Sequence, residues 1–193
     1  MTDCYQPTRL VFLLDNSVNI GSDGFAKSKD FIKSIGEYFD AQSANVAVLD
    51  FATKSQVKVA FESKRTVNAL KTKINVITYE GRSGHSIHSA FEGARDYLAS
   101  NGINKPGGKF VILITAAQPT TTTERTLAAF WPNIFNGSRV KAFVVGAGSK
   151  VQKSELRKYA SAARYVYVAD DFDDIVGFVT SIRTAVCSIA SRS

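Results

Sequence analysis

The chain has 193 residues, 45% of them hydrophobic and 21% charged, which suffices for one substantial buried core. No apolar run approaches the roughly 20 residues that span a bilayer, so no membrane segment is expected. The net charge of +7 favours acidic partners without specifying one.

In chain order, residues 10–14 are continuously apolar, which predicts a strand buried on both faces, as in a parallel sheet. Asp15 closes that strand, and Ser17 and Asn19 follow at alternate positions. Polar groups at the carboxyl ends of such strands sit where open α/β sheets bind ligands. Phe25, Phe31, Ile32, Ile35 and Phe39 then fall largely on one helix face, with Asp23 as the expected N-cap. Residues 46–51 and 57–61 read as two short strands joined by a hairpin-length connection. Val67, Leu70 and Ile74 space a helix over 66–76, and a further helix over 88–100 is stopped by Asn101-Gly102.

Residues 109–115 predict a second fully buried strand. A helix over 124–131 is expected to end at Pro132. Residues 140–145 make a third buried strand, followed by a Gly146-Ala147-Gly148 turn. A short helix over 154–160, capped by Ser154, leads to a last strand at 165–168. Asp171 or Asp173 opens the final helix, with Ile175, Phe178, Val179 and Ile182 as its buried stripe. Strands alternating with helices mean right-handed crossovers and a doubly wound sheet.

Three segments carry a family resemblance over about residues 8–187: Asp15-Asn16-Ser17-Val18-Asn19, the run 90–98, and the strand 110–115. Together they resemble von Willebrand factor type A (integrin I-like) domains, whose first strand opens a metal-dependent adhesion site with Asp-x-Ser-x-Ser. The resemblance implies an α/β fold: a mostly parallel six-stranded sheet with one antiparallel edge strand and helices on both faces. It also implies a single domain over 1–193 with its core at about 8–187.

Asp15, Ser17 and Asn19 offer hard oxygen ligands of the kind Mg²⁺ or Ca²⁺ prefers. In the family, a hydroxyl from the loop before a large helix completes the site. Here that loop reads Gly81-Arg82-Ser83-Gly84-His85-Ser86, and Ser83, His85 or Ser86 can take the place, with Ser86 preferred. The family's Asp-Gly after the fourth strand is Ala116-Ala117 in this chain. With Asp15 as the main remaining carboxylate, no tightly bound cofactor is expected, only weak Mg²⁺ or Ca²⁺.

Other chemistry fits poorly. His85 and His88 lack a third ligand at metal spacing. No Gly-x-Ser-x-Gly elbow supports a hydrolase, and residues 145–150 lack the full phosphate-loop spacing. An enzyme is therefore not expected.

Cys4 and Cys187 flank the fold at its two ends, so a bridge between them is expected, with two free thiols as the alternative. So long a loop is worth roughly 4–5 kcal/mol by chain entropy. A bridge favours an oxidising, extracellular location, as does the sequon Asn136-Gly137-Ser138. The residues after Met1 do not read as a secretory leader, which leaves a cytosolic protein or an excised module, and family habit favours the module.

Lys64, Arg65, Lys71 and Lys73 form the expected basic surface, with heparin-like glycosaminoglycan as a candidate partner. No nucleic-acid motif accompanies them. The expected function is a secreted adhesion module of the extracellular matrix that binds a protein ligand such as collagen without tight metal dependence. Neighbouring domains of a larger chain are expected beside it. The alternatives are a metal-assisted site, in which a ligand carboxylate meets Asp15 and Ser17, and a purely structural repeat.

Overall fold

A computed structural model describes residues 6–39, 44–62 and 66–192. Six strands form one sheet in the order β3-β2-β1-β4-β5-β6. They are β1 (Thr8–Asp15), β2 (Ala44–Phe51), β3 (Ser55–Val59), β4 (Gly108–Thr115), β5 (Val140–Ala147) and β6 (Val166–Ala169). Five run parallel, and β3 is the antiparallel edge. The apolar runs account for this arrangement: Leu10 to Leu14, Phe110 to Ile114 and Ala142 to Val145 are inaccessible to solvent because helices cover both faces.

The helices are α1 (Gly21–Gly36), α2 (Val67–Asn75), α3 (Ile87–Asn101), α4 (Thr122–Ala128), α5 (Trp131–Gly137), α6 (Lys153–Leu156) and α7 (Val179–Ala190). Chain connections leave β1 toward β2 on one side and reach β4 on the other, so the strand order reverses between β1 and β4. That reversal places the ends of β1 and β4, Asp15 and Thr115, side by side at the switch point.

Several local expectations need correction. Asp23 lies in the first turn of α1, not at its cap, and pairs with Lys27 at 2.9 Å. Pro132 does not end a helix; it stands in the first turn of α5, where its missing N–H leaves no bond unmade. The 154–160 segment divides into α6, capped at Gln152, and a 3₁₀ turn at Arg157–Tyr159. The final helix begins as a 3₁₀ turn at Asp174–Phe178, where the Asp171 carboxylate accepts the Asp173 and Asp174 N–H groups.

Phe91 of α3 is the centre of an aromatic cluster beneath α4 and α5. Its ring lies 5.6 Å from Trp131, 5.5 Å from Phe135 and 5.2 Å from Tyr159, and all four are buried. The cluster fixes α3, and with it the loop that enters the site.

Candidate functional site

Asp15 is fully buried at the end of β1, and both of its oxygens accept hydrogen bonds from the protein. Oδ1 accepts the Ser17 N–H at 2.9 Å. Oδ2 accepts the Thr115 hydroxyl at 3.0 Å and the Ala116 N–H at 3.1 Å, and lies 3.2 Å from His85 Nε2. His85 Nε2 also lies 2.9 Å from Thr115 Oγ1. Burial pushes the Asp15 carboxyl up, but the hydrogen bond and charge of His85 and the bonds from Ser17 outweigh it, holding the group below the usual carboxylate range.

The loop before α3 is fixed by its backbone. Arg82 N–H donates to Asn16 C=O and Val18 N–H donates to Arg82 C=O, so this segment runs beside the residues after β1. Gly84 has φ +81°, and a Cβ there would lie 2.3 Å from Thr53 Cγ2, so only glycine fits this turn. The turn delivers the His85 ring inward, against Phe51 at 5.6 Å between ring centres.

Of the three alternatives for the loop position, His85 is the one that reaches Asp15. Ser86 is instead the N-cap of α3, its hydroxyl accepting the Ser89 N–H at 3.1 Å, and Ser83 is exposed. The Ser86 hydroxyl, the preferred alternative, serves the helix as its cap. Ser17 is buried, with its Oγ accepting the Asn19 N–H at 3.3 Å. The Asn19 Oδ1 accepts the Lys150 ammonium at 3.2 Å.

This donor set does not suit a hard divalent cation. Such ions want several oxygen ligands, whereas the one carboxylate here already accepts three hydrogen bonds from the protein, and an imidazole and an ammonium stand nearby. Among the described residues, no group of three or more His, Cys, Asp or Glu is placed to hold a metal. His88 is turned elsewhere, its Nδ1 accepting the Trp131 indole N–H at 3.1 Å.

A second polar network lies behind the first, and sequence reasoning missed it. Asp50, buried in β2, accepts Asn16 Nδ2 at 2.7 Å and meets Arg82 Nη2 at 2.8 Å and Lys58 Nζ at 3.4 Å. The Arg82 contact is an ion pair without hydrogen-bond alignment. Glu80 pairs with both Lys58 and Arg82, and its N–H donates to Asn16 Oδ1. The available signal was a carboxylate inside the otherwise apolar run of β2. Thr115 was missed likewise, as the polar end of β4.

The remaining predicted residues are scattered. Lys64 and Arg65 lie outside the described residues, while Lys71 pairs with Glu37 and Lys73 with Glu62, which cancels much of the expected basic field. Asn136 is exposed near the end of α5, its Oδ1 accepting Lys141 Nζ at 2.8 Å. Cys187 on α7 packs against the core, and Cys4 lies outside the described residues. No helix among the described residues is long and apolar enough to cross a membrane.

Comparison with known proteins agrees with this architecture. The family model described as von Willebrand factor type A domain matches residues 10–181. The chain is 25% identical to human collagen alpha-1(XXI) chain over 170 residues, covering 86% of this chain and 17% of that protein. It is 20% identical to mouse matrilin-2, covering 97% and 20% respectively. The chain thus spans about a fifth of these relatives. Among solved structures, proximal thread matrix protein 1 from the mussel byssus, with a zinc-occupied MIDAS motif, superposes with a TM-score of 0.84 at 22% identity. That match covers 97% of this chain and 47% of the other.

Proposed function

The chain belongs to the von Willebrand factor type A domain family, and on that premise we propose that it is a non-catalytic, secreted matrix-interaction module that recognises a protein ligand without a bound metal. The observation that carries this reading is the Asp15 carboxylate, whose two oxygens are both taken by internal donors. On this reading a ligand carboxylate has no cation to complete, and recognition falls to the side chains of the rim. Val18 supports this role: it stands 60% exposed beside the Asp15 loop.

The resemblance to collagen and matrilin chains makes a matrix component, collagen first, the ligand class to test. In solid-phase binding to a collagen panel, retained binding should be equal in Mg²⁺ and in EDTA, and weaker for Val18→Glu. Binding that disappears in EDTA supports the metal-assisted alternative, and no binding to any matrix component supports a purely structural repeat.

A Cys4–Cys187 bridge belongs to the same reading. Gly108 N–H donates to Pro7 C=O at 3.0 Å, and a Cβ on Gly108 would lie 3.2 Å from Ala190 Cβ, so the two ends of the chain converge on one strand start. Non-reducing peptide mapping should recover the two cysteines as one linked pair; two free thiols would reject the bridge.

A further inference from the structure

At the end of the sheet opposite Asp15, the starts of β4 and β5 border an open groove of about 980 Å³. Its lining carries Lys105, Lys109, Arg139, Lys141 and Arg192, and no Asp or Glu among the described residues. Arg9 stands directly across the strand pairing from Lys109. Like charges placed opposite one another in neighbouring strands repel, and no ion pair to an acid offsets them among the described residues.

Lys109 is the sharpest case. It is only 7% exposed, and its Nζ donates to the Gly107 carbonyl at 3.1 Å. Burial lowers its pKa first, and the charges of Arg9 and Arg139 lower it further. Arg139, for its part, is held with φ +56°, a left-handed backbone that arginine seldom adopts. A basic cluster that is partly desolvated and mutually repelling is relieved when an anion arrives.

A second hollow of about 500 Å³ continues the surface, sharing Ile189 and Arg192 and adding Arg164, Tyr165 and Tyr167. Its Arg164 guanidinium, which lies over the Tyr165 ring, extends the basic strip.

We infer that this groove binds a sulfated glycosaminoglycan, with Lys105, Arg139, Lys141 and Arg192 meeting sulfate groups and Lys109 supplying buried charge beneath them. The choice of a polysaccharide over nucleic acid rests on the extracellular reading above. The site replaces the expected Lys71 and Lys73 surface, whose ammonium groups are already paired with Glu37 and Glu62.

The test compares two variants of equal charge change in the full chain. Lys105→Ala, Lys141→Ala and Arg192→Ala are combined in one, and Lys54→Ala, Lys71→Ala and Lys73→Ala in the other. Calorimetric titration with heparin should show affinity about tenfold weaker for the groove variant, the scale expected for three exposed ion pairs. The control should bind like the parent, and heparin retention should fall steeply with salt in both. Equal losses in the two variants, or no heparin binding by the parent at low salt, overturns the inference. Duplex DNA or desulfated heparin binding as tightly as heparin also overturns it. Collagen binding measured on the same variants should not change, so failure here is separable from failure of the matrix-protein reading.

Discussion

Asp15→Ala should destabilise the fold by about 3 kcal/mol, because it strips buried donors of a charged acceptor rather than merely emptying a ligand position. The Ser17 and Ala116 N–H groups lose their acceptor, and the Thr115 hydroxyl and the His85 ring lose one contact each while keeping one another and, for Thr115, the Ala117 carbonyl. For a chain of this size, each kcal/mol is worth about 2–4 °C in Tm. The loss should be the same in Mg²⁺ and EDTA. Asp15→Asn should not rescue it, since either amide orientation points an NH₂ group at a backbone or side-chain donor.

The pH dependence has a definite sign. The Asp15 carboxyl is held below its ordinary range, so its stabilisation is fully present above the unfolded value of about 3.9 and is lost as pH falls through the folded value. Urea midpoints should therefore separate parent from Asp15→Ala widely at neutral pH, and the gap should narrow steadily once pH falls below about 4. A gap that stays constant into strong acid, or no gap at neutral pH, would show that Asp15 does not hold these donors.

Much of this site was legible in the sequence because its parts lie at strand ends. The run ending in Asp15 marked both a buried strand and a switch-point carboxylate, and the Ala116-Ala117 pair marked a missing acid. What could not be read was the loop from 81 to 86, where a one-residue shift exchanges His85 for Ser86. Two tertiary facts decide that register: the α3 cap takes the Ser86 hydroxyl, and the Gly84 turn against Thr53 aims His85 inward. The helix ends erred for the same reason. Pro132 is equally at home after a helix or in its first turn, and only the packing of Trp131 and Phe135 on Phe91 selects the second. The basic surface was only half legible because sequence shows cations without their partners: Lys71 meets Glu37 and Lys73 meets Glu62, whereas the strand starts bring Arg9, Lys109 and Arg139 together.

Ala116→Asp separates a site that has lost one ligand from a site that has been rebuilt. Ala116 borders a hollow of about 330 Å³ with Asn19 and Lys150, so the longer side chain has room. Its charge, however, enters beside Asp15 and among Asp23, Asp170, Asp171 and Asp173, against only Lys27 and Lys150. The single variant should lose about 2–3 kcal/mol from this repulsion and gain no response to Mg²⁺, because His85 still occupies Oδ2 of Asp15. Adding His85→Thr removes the imidazole and supplies a hydroxyl at the position where the family places one. The double variant should then recover stability on Mg²⁺ addition, by about 2.7 kcal/mol at a hundredfold excess over its Kd. Thermal unfolding of parent, singles and double, each with Mg²⁺ and with EDTA, reads the outcome directly. Stabilisation of Ala116→Asp alone by Mg²⁺ would mean that His85 does not block the cation, and a double variant indifferent to Mg²⁺ would mean that more than these two residues was lost.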